Sequence, residues 1–232
     1  MHRPRWKLAL VIAAASIIGF AGIPLYFDYS RRLLVRVASI GPIPTFINRL
    51  QRYGIPKNDA ECMKDLKTLD VDFKEQVSFS EPLGCKVEYG VRLARAGNIR
   101  ISNAPLLTCR MATELAEFEQ GKLQSTAKRI LGSEIKRINH IGTYNCRSMR
   151  QYKGIISQHG YANAIDVSGF ILKDGRAISV AKDWKGNGKK ARFLKAVASS
   201  ACYAFRVSVS PDGDASHWNH LHWDMGIYRS CR

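Results

Sequence analysis

The chain has 232 residues, 46% of them apolar and 24% charged, with 36 Lys+Arg against 19 Asp+Glu and a formal net charge of +17. That composition excludes a disordered or low-complexity chain, and the length leaves room for one packed domain with an appendage. The charge favours polyanions, but no aromatic residues interleave with a basic patch and no known motif is present, so nucleic-acid binding is not expected.

Residues 8–27, LALVIAAASIIGFAGIPLYF, contain no charge. Twenty helical residues at about 1.5 Å each span roughly 30 Å, the thickness of a bilayer's hydrocarbon core. A cleaved signal peptide is the rival reading, with a shorter apolar run ending at a small-x-small site. Here the run is long and IPLYFDYSRR offers no such site, so residues 1–30 are expected to be an uncleaved transmembrane anchor. Residues 31–56 read as a basic tether broken by Pro42 and Pro44, then a short helix through Phe46, Ile47, Leu50 and Tyr53.

The body spans residues 57–232. Asn58 or Asp59 is placed to cap a helix through Met63, Leu66 and Leu69, and residues 87–94 alternate as a strand. Pro105 opens the longest helical pattern, with Leu106, Leu107, Met111, Leu115 and Phe118 on one face; residues 124–131 continue as helix and stop at Gly132. Residues 135–141 and 164–172 read as strands, and Asp174-Gly175 as a hairpin turn into residues 177–181. Residues 193–205 are helical, and residues 205–209 and 221–225 close the chain as strands. The mixture predicts an α+β fold, a central mainly antiparallel sheet flanked by helices, behind an N-terminal transmembrane helix.

Six cysteines, Cys62, Cys85, Cys109, Cys146, Cys202 and Cys231, are widely spaced and form no CxxC pair. That argues against zinc-knuckle and thioredoxin-type chemistry, and behind a membrane segment it predicts up to three disulfides in an oxidising compartment. Six cysteines allow about 15 connectivities, and the sequence does not choose among them. A Cys202–Cys231 bridge would tie the last helix to the chain terminus.

Four of the six histidines fall in two short segments, SQHGYANAIDVSGF with His159 and DASHWNHLHWDM with His217, His220 and His222. Two histidines and a carboxylate are the usual ligands of a catalytic zinc that keeps one position open. On a strand His220, His222 and Asp224 share one face while Leu221, Trp223 and Met225 face the core. His159 and Asp166 stand seven residues apart, too far along a helix and on opposite sides of a strand. They can share a metal only if the chain bends between them, at residues 160–163.

HGYANAID and HWNHLH resemble the two signatures of the zinc peptidase superfamily that includes lysostaphin-type enzymes, D-Ala-D-Ala peptidases and hedgehog domains. Ser157, His159, Ala164 and Asp166 fit the first signature; Ala162 stands where that pattern has Gly, at a possible cost of about 1 kcal/mol if the backbone there is left-handed. HxxHxH resembles the murein endopeptidases. With LLTCRMATELAEF, GTYNCR, DGRAISVAKDW and FLKAVASSAC, residues 62–231 are similar to the extensin-like C-terminal domain family of bacterial envelopes.

The resemblance implies Zn2+ on His159, Asp166 and His222. It places His217 and His220 beside that metal. One strand step from His222 on the same face, His220 is expected to act as general base, with His217 stabilising charge or sharing that role and Asp224 orienting a ligand histidine. Arg147 resembles the substrate-carboxylate arginine of carboxypeptidase-type relatives. The expected activity is zinc-dependent hydrolysis of peptide bonds in peptidoglycan, of D,D-endopeptidase or carboxypeptidase type. The body would lie in the periplasm, anchored to the inner membrane. The alternative is a non-catalytic wall-binding module that keeps the fold and holds wall polymer through its basic surface.

Overall fold

The computed structural model describes residues 59–232. The expected anchor and the tether with its short helix lie outside them. Among the described residues no helix is long and apolar enough to cross a membrane.

A sheet of ten strands forms the body, with neighbours in the order β1 (Val71–Gln76), β4 (Gly90–Ala96), β5 (Ile99–Ile101), β7 (Ile135–Gly142), β10 (Ala164–Leu172), β13 (Leu221–Asp224), β12 (Val207–Val209) and β14 (Ser230–Cys231). β6 (Leu106–Thr108) pairs with β4, and β11 (Ala177–Ser179) with β10. Pairing is antiparallel except for β5 with β7 and β12 with β14. Two small hairpins stand apart, β2 (Phe79–Ser80) with β3 (Lys86–Val87), and β8 (Ser148–Met149) with β9 (Tyr152–Ile156). The helices are α1 (Asp59–Thr68), α2 (Cys109–Phe118), α3 (Gln124–Leu131), α4 (Val180–Asp183) and α5 (Lys189–Ala204).

The expected α+β class with a mostly antiparallel sheet is what the chain adopts, with one informative correction. Residues 106–108, read as the start of a helix, are strand β6. Asn103 and Ala104 take φ of 56° and 40°, turning the chain so that Leu107 pairs with Val91. Leu107 then enters the main core while Leu106 joins a small cluster with Val87 and Ala162 on the other side. The leucine pair mimicked a helical stripe but obeys the two-residue period of a strand. The helix starts one turn later, where the Thr108 hydroxyl accepts from the Met111 amide at 3.2 Å. α2 leads into a π-helical turn over Glu119–Leu123, and α3 ends at Gly132 with φ of 71°, the left-handed stop expected there.

The helices cover one face of the sheet. Val91, Leu93, Ile99, Ile138, Val167 and Phe170 point into a core shared with Met111 and Leu115 of α2 and Phe193 and Val197 of α5. Phe205 stacks on Trp223 at 5.0 Å, and Phe118 meets both edge-on. Burying such aromatics contributes about 1.5–3 kcal/mol each, so β13 is fixed from behind. Three disulfides, Cys62–Cys109, Cys85–Cys146 and Cys202–Cys231, join segments distant in sequence. The third is the pairing raised from sequence.

Candidate metal centre

The opposite face of the sheet carries the histidines. Ile165 and Val167 of β10 face the core, so Asp166 between them faces outward; on β13 Leu221 and Trp223 do the same for His222. The two strands pair in a register that sets Asp166 directly beside His222. Cross-strand neighbours have Cβ atoms about 5 Å apart, close enough to share an ion.

His159 arrives from a tight turn. Ser157 is extended and its hydroxyl accepts from the His159 amide at 3.4 Å, opening a 3-10 turn over Gln158–Tyr161. Ala162 ends it in the left-handed region, φ 53° and ψ 25°. This is the bend the spacing required, and Ala162 bears the strain that glycine would avoid. Buried Asn163 fixes the exit. Its side-chain amide donates to Gln158 Oε1 at 2.8 Å, and its own Oδ1 accepts from the Thr108 hydroxyl at 3.0 Å. Gly160 lies so close to Ile156 and the Cys85 sulfur that a Cβ there would sit 2.6 and 2.9 Å from them.

The three expected ligands converge. His159 Nε2 lies 3.2 Å from His222 Nδ1 and 3.3 Å from Asp166 Oδ2, while His222 Nδ1 lies 2.9 Å from Asp166 Oδ1. Around a tetrahedral zinc with bonds of 2.0–2.1 Å, ligand atoms stand about 3.3 Å apart. The two imidazole nitrogens stand at about that separation, and each has an oxygen of the Asp166 carboxylate within 3.3 Å, Oδ2 beside His159 and Oδ1 beside His222. A cluster of these three residues could hold a metal ion.

Hydrogen bonds set both tautomers. His159 Nδ1 lies 2.5 Å from the Thr143 carbonyl, which can only accept, so this nitrogen carries the proton and Nε2 turns a lone pair inward. His222 Nε2 lies 2.9 Å from Asp224 Oδ2, whose other oxygen is fixed by the Gly226 amide at 2.8 Å. Asp224 thus orients His222 so that Nδ1 faces Asp166 and His159. Burial opposes charge on Asp166, yet the imidazoles of His159 and His222 beside it hold its carboxyl far below the usual range. Burial likewise opposes a charged His222, but Asp166 and Asp224 outweigh it and push its pKa up to about 10. Two carboxylates around that ring call for a positive charge, supplied by a proton or a metal cation.

His220 and His217 stand beside the ligands. His220 precedes β13 rather than lying on it, but its Nε2 still comes within 3.5 Å of Asp166 Oδ1. Its Nδ1 is 2.7 Å from Asn219 Oδ1. Burial chiefly lowers its pKa, with neighbouring charges contributing in both directions. His217 packs 4.9 Å from His220 between ring centroids, its Nδ1 3.2 Å from the Ser216 hydroxyl. Burial, then His222 and His220, lower its pKa to about 4.

Arg147 is half-buried. Its carbonyl accepts from the Ser157 amide at 3.0 Å, placing it beside the His159 turn, and its guanidinium reaches the Ser148 carbonyl at 3.5 Å. Sequence reasoning missed Thr143, which acts through its carbonyl and so leaves no side-chain signal. It missed Asn219 too, although that residue lies inside HWNHLH. Asp214 caps the His217 turn and accepts from Gln151 at 3.3 Å, bringing the unforeseen β8–β9 hairpin to the site. Trp218, next to His217, is 61% exposed.

The family model described as Extensin-like protein C-terminus matches residues 60–232, and the chain belongs to that family. No curated protein and no solved structure matches the chain.

Proposed function

We propose that this member of the extensin-like C-terminal family is a zinc-dependent peptidase of the cell envelope that cuts D-Ala-containing peptides of peptidoglycan. The observation that carries the reading is the convergence of His159 Nε2, His222 Nδ1 and the Asp166 carboxylate within 3.3 Å of one another, each imidazole held through its other nitrogen by a fixed acceptor. The likeness of HGYANAID and HWNHLH to peptidase signatures supplies the reaction class.

Bound zinc supplies Lewis acidity toward an amide carbonyl and lowers the pKa of a water toward 7. The chain's own groups do the rest. His220, with Nδ1–H donated to Asn219, is neutral at pH 7 and presents Nε2 toward Asp166. It takes the proton of the attacking water and returns it to the leaving amine. His217, packed against His220, stabilises the developing charge or shares the base role. Arg147 is the group for a substrate carboxylate, which a guanidinium fork matches. The six paired cysteines fit a periplasmic body, and residues 8–27 would hold it to the inner membrane.

The test is to incubate the full-length protein with crosslinked peptidoglycan fragments after chelation and again after zinc is restored, and to identify new ends by mass spectrometry. Zinc-restored product, absent from the His159→Ala variant, is expected. No product from zinc-loaded protein would sink the assignment.

A further inference from the structure

We infer that the open face of the sheet carries a second binding site, a row formed by Arg95, Arg100 and Arg137, which holds the carboxylates of a wall polymer and aligns that polymer with the metal centre. This deepens the peptidase reading and rests on it for the identity of the polymer.

The row follows from register. Arg95 of β4 pairs with Arg100 of β5, and Arg100 pairs with Arg137 of β7. Directly paired residues project from the same face. At about 4.8 Å between strands, the three arginines cross roughly 10 Å of sheet. Ile99, Ile101 and Ile138 flank Arg100 and Arg137 and point into the core, and on β4 a bulge after Leu93 leaves buried Ala96 inward and Arg95 outward, so the arginines face away from the helices. That is the face on which Asp166 and His222 stand. Arg137 is opposite Ile171, five residues along β10 from Asp166, which places the row about 17 Å from the metal ligands at 3.3 Å per residue.

Like charges directly across a sheet are destabilising, so the array needs a reason. Arg95 has counter-charge: Asp70 accepts from its guanidinium at 2.9 Å, and Asp72 is its partner on β1. Arg100 and Arg137 are exposed and, among the described residues, neither has a carboxylate partner. Lys136, exposed at the β-bulge beside Arg137, adds a third unpaired cation. An anion supplied from outside removes the repulsion. Guanidinium forks at strand spacing suit a polymer carrying repeated planar carboxylates. No exposed aromatic ring lies on β4, β5 or β7 to stack a base, which weighs against single-stranded nucleic acid.

The experiment measures binding of the full-length protein in detergent to insoluble peptidoglycan sacculi by co-sedimentation, in chelator so that no cleavage occurs. Double reversal R100E/R137E should weaken binding about tenfold or more, since each change turns an attraction into a repulsion. R100K/R137K keeps the charge but loses the planar forks, so it should bind more weakly than the parent and more tightly than the reversed protein. R192E/K195E, on α5 across the core, should bind like the parent. Sacculi whose carboxylates are converted to amides should bind the parent as weakly as native sacculi bind the reversed protein.

Equal binding by parent and R100E/R137E, or equal binding to native and amidated sacculi, would overturn the proposal. So would tighter binding to duplex DNA than to sacculi that the reversal abolishes, because the row would then serve nucleic acid. Cleavage of a short soluble crosslinked fragment, assayed separately with zinc, should be unchanged by the reversal while KM on intact sacculi rises. A protein that binds through the row but cuts nothing refutes the peptidase reading alone.

Discussion

His220 and His222 differ by two positions and by opposite electrostatics. His222 lies between two carboxylates and favours a cation, whereas His220 is kept neutral chiefly by burial. A general base must be unprotonated to act, so a lowered pKa extends activity toward acid. The acid limb of kcat/KM is therefore expected below 6.5, the ordinary histidine value. His220→Ala should lose about 10²–10⁴-fold in kcat while retaining zinc by elemental analysis; loss of zinc would make His220 a ligand instead. Asp224→Asn keeps the shape but changes the partner of His222 Nε2 from a carboxylate to an amide. Zinc affinity, measured by competition with a chromophoric chelator, should fall about 10–100-fold.

Elements decide how these residues meet, and one hydroxyl joins two of them. Thr108 caps α2 by accepting from Met111 and donates to Asn163, which closes the His159 bend. Thr108→Val removes a cap worth about 1 kcal/mol and leaves the Asn163 oxygen without that donor in a buried site, about 1–3 kcal/mol more. Urea unfolding should show a loss of about 2–4 kcal/mol. The π-helical turn after α2 presents a different case. Glu119 is buried and, among the described residues, neither of its oxygens has a hydrogen-bond partner; burial raises its pKa well above 4.5. A folded-state pKa raised above the unfolded one gives stability that is full below pH 4.5 and is lost as pH rises through the folded value. Glu119→Gln should therefore stabilise the protein by about 1–3 kcal/mol at pH 7 and by less at pH 4.5, read from denaturation at both values.

The same elements show what a one-dimensional pattern carries. β10 and β13 were legible because polar and apolar residues alternate along them, but only their pairing in the sheet sets Asp166 beside His222. β6 was not, because two leucines beside a real helix fit either period until pairing with β4 chooses. β5 and the β8–β9 hairpin are short and β1 carries charge on three of its six positions, so their strand character comes from neighbours. The ligands announced themselves through rare residue types. Thr143 could not, since any residue offers a carbonyl.

At the scale of the whole molecule the metal centre depends on a piece of chain with little secondary structure of its own. Residues 143–147 supply the Thr143 carbonyl to His159, the Asn145 amide to the His159 carbonyl at 3.1 Å and the Arg147 carbonyl to Ser157. Cys85–Cys146 pins that piece to the β2–β3 hairpin against Ile156 and Tyr161, and Tyr144 donates to Glu81 of the same hairpin at 2.6 Å. The Cys202–Cys231 bridge fastens α5 to β14, two strands away from His222 in the sheet. Each bridge restricts the unfolded chain, so removing either should cost about 2–5 kcal/mol. Their effects on the metal should diverge. Cys85→Ser with Cys146→Ser frees the clamp on His159 and should lower zinc affinity about tenfold or more, as loss of an orienting partner does. Cys202→Ser with Cys231→Ser should lose stability alone. Denaturation and zinc competition on the two pairs of variants separate these outcomes, and an equal drop in zinc affinity for both would mean that the bridges support the fold in general rather than the first ligand in particular.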